Sequence, residues 1–300
     1  MIYTLTINPS LDYVMEMDEL NVGKMNRSRN TYVLPGGKGI NVSRVLTSLG
    51  IENVAILPVA GFTGEKLLEM LAGSGIGYDA LKLKQGDTRI NVKVLAGAET
   101  ELNAAGPEIS DDEQNALMEK LTKLSEGDYL ILSGSVPSNL GGHFYADIMK
   151  HLADKNVKVV VDSIGENLKN ALARKPFLVK PNKEELEALF DTKAKTPEEL
   201  LNLAKEMQKM GAQNVLVSKG ADGAILLTEN HEVYETAAPK GNVENTVGAG
   251  DSMVAGFLAG YLKTGDMRQA LKWGIAAGSA SAFSKNLATK EEIDALIENL

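Results

Sequence analysis

The chain has 300 residues, a formal net charge of −9 at neutral pH, 44% apolar residues and 24% charged residues. These values are typical of an ordinary globular protein that can bury a sizeable core, and the acidic balance argues against nucleic acid as a partner. The chain contains no cysteine, which excludes disulfides, thiolate nucleophiles and cysteine-ligated metal sites.

An apolar run at residues 2–7 opens the chain and is expected to form a strand. No basic segment precedes this run, and no apolar stretch approaches the ~20 residues that a membrane-spanning helix needs. We therefore expect a cytoplasmic protein without a signal peptide and without a membrane partner.

Two segments, residues 12–18 and 89–94, alternate polar with apolar side chains, as in a sheet that is covered on one face only. They are far apart in sequence, but we expect them to pair into a small lid over a cleft. Ordinary solvated surface strands are the alternative. The polar face of such a lid would carry four side chains, namely Asp12, Arg89, Asn91 and Lys93.

Residues 34–41 form a glycine-rich turn that precedes a predicted helix at residues 42–49. Glycines allow a backbone to approach a ligand closely, Lys38 adds a charge for an anion, and the Asn41 amide can bind hydroxyl groups. A plain turn with a surface lysine is the alternative. A second helix is expected at residues 65–71, followed by a loop at residues 73–77.

The second half of the chain alternates short β-branched runs with longer amphipathic stretches. The predicted strands are residues 129–133, 157–161, 177–180 and 214–218. The predicted helices are residues 143–155, 183–190 and 198–210. Such alternation indicates a parallel, doubly wound sheet with helices on both faces.

Polar and glycine residues follow these strands at residues 133–135, 162–163, 180–182 and 218–220. Ligands of doubly wound sheets bind beyond the carboxyl ends of the strands, so these segments predict a long cleft. Strand-to-helix turns are polar in any case, and this is the alternative for each segment by itself.

Two further motifs also have structural explanations. Residues 218–224 connect two apolar runs and could form an ordinary hairpin turn. Asn182 and Glu185 open a helix with the spacing of a capping box.

Near the end of the chain, residues 245–252 place two glycines and Asp251 at the start of an apolar helical pattern that ends near Gly265. A glycine-rich turn that enters a helix is an anion site, because unpaired amides and the helix dipole point outward. A carboxylate beside that site repels the anion, so its presence there is unexpected for simple anion binding. It is explained if the carboxylate faces a hydroxyl group that attacks the anion. The alternative is that Asp251 caps the helix.

Other known sites find no support in the sequence. No Walker A string is present, no Gly-x-Gly-x-x-Gly follows the first strand, and the three histidines lack metal-ligand spacing.

Taken in order, residues 36–41, the pair Asn182 and Glu185, the turn at 218–223 and residues 246–252 resemble the ribokinase-like (PfkB) family of sugar kinases along the whole chain. Residues 8–12, 35–41 and 88–93 resemble its phosphosugar-kinase branch. The resemblance implies an α/β fold, a ribokinase-like three-layer sandwich with a mostly parallel central sheet and a small β-sheet lid. The expected core comprises residues 1–10, 34–85 and 106–300, and the expected lid comprises residues 11–33 and 86–105.

The resemblance also implies a reaction, namely phosphorylation of fructose 1-phosphate to fructose 1,6-bisphosphate by ATP with Mg²⁺. Tagatose 6-phosphate and fructose 6-phosphate are alternative acceptors. A non-catalytic sugar-phosphate sensor and a kinase of unphosphorylated sugars or nucleosides are further alternatives. The phosphosugar and ATP are the expected partners, together with a second copy of the chain that forms a homodimer through the lid.

By the same resemblance, Asp251 is the base for the acceptor hydroxyl, and the backbone of Gly248, Ala249 and Gly250 forms an anion hole. The helix N-terminus is expected to lower the pKa of Asp251. The implied sugar- and phosphate-binding residues are Asp12, Lys24, Gly37, Lys38, Asn41, Arg89, Ser133 and Ser135. The implied nucleotide-binding residues are Asn182, Ser218, Gly220 and Gly223, with Glu185 linked to Mg²⁺ through water and residues 276–281 near the adenine.

Overall fold

The computed structural model describes residues 1–300 and contains thirteen strands in two sheets. The strands are β1 (Ile2–Leu5), β2 (Ser10–Glu16), β3 (Asn30–Gly36), β4 (Asn53–Val59), β5 (Gly77–Lys82), β6 (Arg89–Ala96), β7 (Ala98–Leu102), β8 (Tyr129–Ser133), β9 (Lys158–Asp162), β10 (Leu178–Val179), β11 (Asn214–Ser218), β12 (Ala224–Leu227) and β13 (Val233–Thr236).

Ten α-helices connect or follow these strands. They are α1 (Lys38–Ser48), α2 (Gly61–Gly73), α3 (Asp111–Leu121), α4 (Phe144–His151), α5 (Gly165–Leu172), α6 (Lys183–Leu189), α7 (Pro197–Lys209), α8 (Ala249–Thr264), α9 (Met267–Phe283) and α10 (Lys290–Ile297). No helix combines the length and the apolar character that a passage through a bilayer requires.

Nine strands form the central sheet in the order β13-β12-β11-β10-β9-β8-β1-β4-β5. All neighbouring pairs are parallel except β11 with β12 and β12 with β13, which are antiparallel. One apolar core joins the sheet to α3, α4, α5 and α7, and a second core joins the other face to α1, α8, α9 and α10. The predicted three-layer α/β sandwich with a mostly parallel sheet is thereby confirmed.

The smaller sheet has the order β3-β2-β6-β7 and is called the lid sheet below. Strands β2 and β6 are parallel neighbours, so the predicted pairing of two segments far apart in sequence is confirmed. Their register sets Asp12 beside Asn91 and Val14 beside Lys93, and neighbours in register share a face of the sheet. The proposed division of the chain into core and lid segments stays a prediction.

Some predicted boundaries differ from the observed ones. Helix α1 begins at Lys38 instead of residue 42, because Gly37, with φ 123°, makes the bend that lets the next residue start the helix. The strand predicted at residues 177–180 is limited to Leu178–Val179. The helix predicted at residues 143–155 ends at His151 and is followed by a short 3-10 turn, Ala153–Lys155, that stops at a left-handed Asn156.

Candidate active site

A cavity of about 1010 Å³ lies between the lid sheet and the carboxyl ends of the central strands. The lid contributes Asp12 from β2, Lys93 from β6 and Glu101 from β7. The core contributes the start of α1, the ends of β9 and β11, and the start of α8. This is the position that a parallel sheet gives to a ligand site.

The cavity brings together most of the side chains and glycines that the sequence singles out. They are Asp12, Gly37, Lys38, Asn41, Asn182, Glu185, Ser218, Gly220, Gly223, Gly248, Ala249, Gly250 and Asp251. Segments more than 200 residues apart in sequence therefore line the same cavity, as the resemblance implies.

Four other predicted residues do not line this cavity. Lys24 is exposed in the connection between β2 and β3, and Ser135 is exposed after β8. Ser133 is buried, and its hydroxyl group has no hydrogen-bond partner. Arg89 lines a separate cavity, where its guanidinium group donates to the carbonyl oxygens of Asn8 and Ala104. Their assignment to the acceptor stays a prediction.

The start of α8 leaves backbone donors free. Gly248 is the N-cap residue with φ 78°, and no side chain caps the helix. The Ala249 amide bonds the carbonyl oxygen of Thr246 at 3.3 Å, whereas the amides of Gly248, Gly250 and Asp251 have no acceptor within the protein. Unpaired amides at the positive end of a 16-residue helix form an anion site.

Asp251 is 5% exposed and lies in the first turn of α8. One oxygen of its carboxylate accepts a hydrogen bond from the Asn41 side-chain amide at 2.8 Å. The capping explanation is therefore wrong for Asp251, because Gly248 occupies the N-cap position and the Asp251 carboxylate faces α1.

The expected direction of the pKa change at Asp251 is also wrong. Burial and the negative charge of Asp162 raise the pKa of Asp251 to about 6, and they outweigh the lowering effects of Lys38, Asn41 and Lys180. Desolvation disfavours the charged form of a carboxyl group more strongly here than the helix N-terminus favours it. The group is thus a stronger base than an exposed aspartate.

Two residues next to Asp251 were noted in the sequence only as polar strand ends. Asp162 is buried at the end of β9, and one of its oxygens lies 3.2 Å from the Lys38 ammonium and 3.5 Å from the Lys180 ammonium. Burial would raise the pKa of Asp162, but the two ammonium groups lower it below its usual value. A methyl group added at Gly250 would lie 3.3 Å from the Lys180 nitrogen, so this charge adjoins the free amides.

The opposite end of the cavity is formed by the hairpin between β11 and β12 and by α9. The hairpin contains a 3-10 turn, Gly220–Asp222, so the ordinary-turn interpretation of this segment is correct as far as its backbone is concerned. Helix α9 presents Gly278, Ser279 and Phe283 to the same space. Small residues and one aromatic ring leave room for a flat ring system.

Asn182 and Glu185 form the predicted capping box at the start of α6. The Glu185 amide donates to the Asn182 side chain at 2.7 Å, and the Asn182 amide donates to Oε2 of Glu185 at 2.9 Å. The second carboxylate oxygen of Glu185 makes no hydrogen bond within the protein, and the residue lines the cavity. Capping therefore leaves one oxygen available to a ligand.

These groups together suit the transfer of an anionic group to a hydroxyl group. Free amides and two ammonium groups neutralise charge on the transferred group, and the neighbouring Asp251 can accept a proton.

The sequence matches the model of the pfkB family carbohydrate kinases over residues 6–294. The chain belongs to this family. It is therefore a sugar kinase, a phosphotransferase that acts on an alcohol group and for which the family implies ATP as a substrate.

Individual relatives cover the chain almost completely. It is 44% identical to the 1-phosphofructokinase of Bacillus subtilis over 99% of this chain and 97% of the relative. It is 36% identical to the D-tagatose-1-phosphate kinase of Bacillus licheniformis over 98% and 96% of the two chains. Phosphofructokinase-2 from Escherichia coli, solved in complex with substrates and products, superposes with a TM-score of 0.94 at 31% identity, covering 100% of this chain and 99% of that one.

Proposed function

We propose that this kinase transfers the γ-phosphoryl group of ATP to the 6-hydroxyl group of fructose 1-phosphate and forms fructose 1,6-bisphosphate and ADP. The observation that carries the phosphoryl-transfer chemistry is the start of α8, where Asp251 with its raised pKa adjoins three free amides. The 44% identity to a 1-phosphofructokinase supports the choice of acceptor.

In this proposal the oxygen of the acceptor hydroxyl attacks the γ-phosphorus, the bond to the bridging oxygen of ADP breaks, and the hydroxyl proton passes to Asp251. The amides of Gly248, Gly250 and Asp251 donate to the oxygens of the transferred group. The positive charges of Lys38 and Lys180 reduce the repulsion between the phosphoryl group and the Asp251 carboxylate. Asp162 holds the two lysines in place through one oxygen.

Asp12, Gly37 and Asn41 are proposed to hold the sugar between the lid sheet and α1. Lys38 was expected to bind the phosphate that the acceptor already carries, but its ion pair with Asp162 favours a role at the reacting centre. The existing phosphate is still proposed to bind Lys24 and Arg89. Additional hydrogen bonds would come from Ser133 and Ser135.

ATP is proposed to lie along the hairpin and α9, bordered by Ser218, Gly220 and Gly223, with Asn182 near its phosphates and its adenine beside residues 276–281. The residues present also fit Mg²⁺, which prefers oxygen ligands and keeps several of its waters. The free oxygen of Glu185 would hold the ion through water. When bound, Mg²⁺ neutralises charge on the ATP phosphates.

A homodimer through the lid sheet is also proposed. The interface would be the face of the lid sheet opposite to the one that carries Asp12. Tyr13 lies beside Val92, and Val92 lies opposite Leu102, so these residues form one apolar row across three strands. Tyr13 is 36%, Ile90 is 43% and Leu102 is 60% exposed. Exposed apolar patches of this kind favour a protein interface, and a symmetric second copy supplies a matching surface.

The test is identification of the product. The kinase is incubated with ATP, Mg²⁺ and fructose 1-phosphate, and ³¹P NMR spectra are recorded with time. We expect one new phosphomonoester signal on the sugar for every ADP formed. ADP without a sugar bisphosphate, or binding of fructose 1-phosphate without ADP, would contradict the proposal, and the second result would support the sensor hypothesis.

A further inference from the structure

Lys93 projects from the inner face of the lid sheet. It lies on β6 beside Val14 of β2 and opposite Glu101 of β7, on the same face as Asp12. It lines both the main cavity and an adjoining cavity of about 610 Å³. Lys93 therefore borders the region in which Asp12 is proposed to hold the sugar.

The hydrogen-bond donors of Lys93 are only partly used. Its ammonium group donates to Glu101 at 2.9 Å, whereas Asp12 at 3.7 Å and Glu99 at 3.9 Å lie beyond hydrogen-bond distance. An ammonium group carries three donors, so two remain without an acceptor in a side chain that is 11% exposed. Because Lys93 lines two cavities, these two donors are available to a hydroxyl group of a ligand.

Burial would lower the pKa of Lys93, but the hydrogen bond to Glu101 and the charges of Asp12, Glu101 and Glu99 raise it above its usual value. The group is therefore charged in the working range of the kinase and can donate to a ligand.

Asp12 shows the complementary pattern. Its oxygen Oδ1 accepts hydrogen bonds from the Ser10 hydroxyl at 2.7 Å and from the Asn91 amide at 3.0 Å. Its oxygen Oδ2 accepts no hydrogen bond and faces the Lys93 ammonium at 3.7 Å. One hydroxyl group between these two atoms can donate to Oδ2 and accept from Nζ of Lys93 within ordinary hydrogen-bond lengths.

We propose that Lys93 is a specificity-determining residue, which together with Asp12 holds one ring hydroxyl group of the acceptor sugar. The inference rests on the proposed function, because it takes a ketose phosphate as the acceptor. A site that is built to bond a hydroxyl group discriminates strongly against an analogue without it, since the buried charges then lose their partner. Lys93 would thus contribute to the choice among sugars that differ at a single carbon.

The test compares wild type with Lys93→Met on acceptors that differ at one hydroxyl group. The acceptors are fructose 1-phosphate, its C4 epimer tagatose 1-phosphate, its C3 epimer psicose 1-phosphate, and 2,5-anhydromannitol 1-phosphate, which lacks the hydroxyl group at C2. Steady-state kcat/KM is measured for each pair, together with the KM for ATP. Lys66→Met is the matched control, because Lys66 pairs with Glu69 on an exposed helix surface.

We expect wild type to disfavour one of the three analogues by at least ~30-fold, as a lost hydrogen bond to charged groups implies. Lys93→Met should lower kcat/KM for fructose 1-phosphate by at least ~10-fold, reduce that one discrimination by the same factor and leave the KM for ATP unchanged. Equal losses on every acceptor, or an altered KM for ATP, would overturn the inference and assign Lys93 to the structure of the lid.

Lys93→Met leaves three acids without a counter-charge, so the double variant Lys93→Met/Glu101→Gln is measured beside it. The double variant removes one of these acids and should show the same loss of discrimination with a better folded lid. Failure of the proposed acceptor is a separate result. If wild type prefers another ketose phosphate, the comparison is made on the epimers of that sugar. The Lys93 inference then fails only if Lys93→Met reduces the discrimination at no single hydroxyl group.

Discussion

Replacing Asp251 by asparagine should stabilise the protein while it removes the proposed base. The pKa of Asp251 is raised from 3.8 to about 6, mainly by burial and secondly by Asp162. The folded protein therefore binds this proton more tightly than the unfolded chain, and stability is lost as the pH rises through the folded-state pKa. At about 1.4 kcal/mol per pH unit, the ionised carboxylate costs about 3 kcal/mol near neutral pH.

Asparagine has nearly the same shape, cannot ionise and can still accept the hydrogen bond from Asn41. In urea unfolding, we expect Asp251→Asn to exceed wild type by about 3 kcal/mol near pH 7.5 and by about 1 kcal/mol near pH 4.5, where wild type is mostly protonated. The kcat should fall by at least ~10² because the base is lost.

Asp154→Asn, at an exposed position, is the matched control and should change neither quantity. The reasoning would be refuted by a variant that is less stable than wild type near neutral pH, or by a stability difference that does not depend on pH. A near-normal kcat would refute the base role.

The structure also predicts three further outcomes. The kcat/KM of wild type should fall about tenfold per pH unit below about pH 6, because Asp251 becomes protonated; a pH–rate profile without an acid limb near this value would disagree. Gly223→Ala should lower the unfolding temperature far more than Gly265→Ala, because both residues have positive φ but a methyl group at Gly223 would also overlap the Thr236 carbonyl oxygen; equal losses in a thermal melt would contradict this. Tyr13→Glu should shift sedimentation towards the monomer, whereas an unchanged sedimentation coefficient would exclude the lid interface.

Local sequence patterns predicted the parallel sheet and several of its strands and helices, whereas the three-layer sandwich was implied by the family resemblance. The strands predicted at residues 129–133 and 214–218 have the observed bounds, because buried apolar runs end at clear turn signals. Helix α1 starts four residues earlier than predicted, since a glycine-rich motif resembles a loop until the backbone angle of Gly37 is known. The pairing of β2 with β6 was predicted from matching polar faces, despite the distance between them in the chain.

The electrostatics of the candidate site could not be predicted from sequence in the same way. The helix N-terminus alone suggests a lowered pKa for Asp251, whereas burial and Asp162, which is distant in sequence, raise this pKa in the folded protein. Lys180 and Asp162 belong to no motif with a fixed spacing, and only the parallel order of β9 and β10 brings them together. Lys93 was visible as part of a polar strand face, but its two free donors required the positions of Glu99 and Glu101.

The most direct test of the proposed function is steady-state ADP release with Mg·ATP and a panel of acceptors. The panel comprises fructose 1-phosphate, tagatose 6-phosphate and fructose 6-phosphate, which are measured in parallel. We expect kcat/KM for fructose 1-phosphate to exceed each of the others by at least ~10²-fold, which corresponds to about 2.7 kcal/mol of transition-state discrimination. A higher kcat/KM for any other sugar on the panel would contradict the proposed acceptor, and the absence of ADP release with every sugar would contradict the catalytic roles assigned to Asp251 and the start of α8.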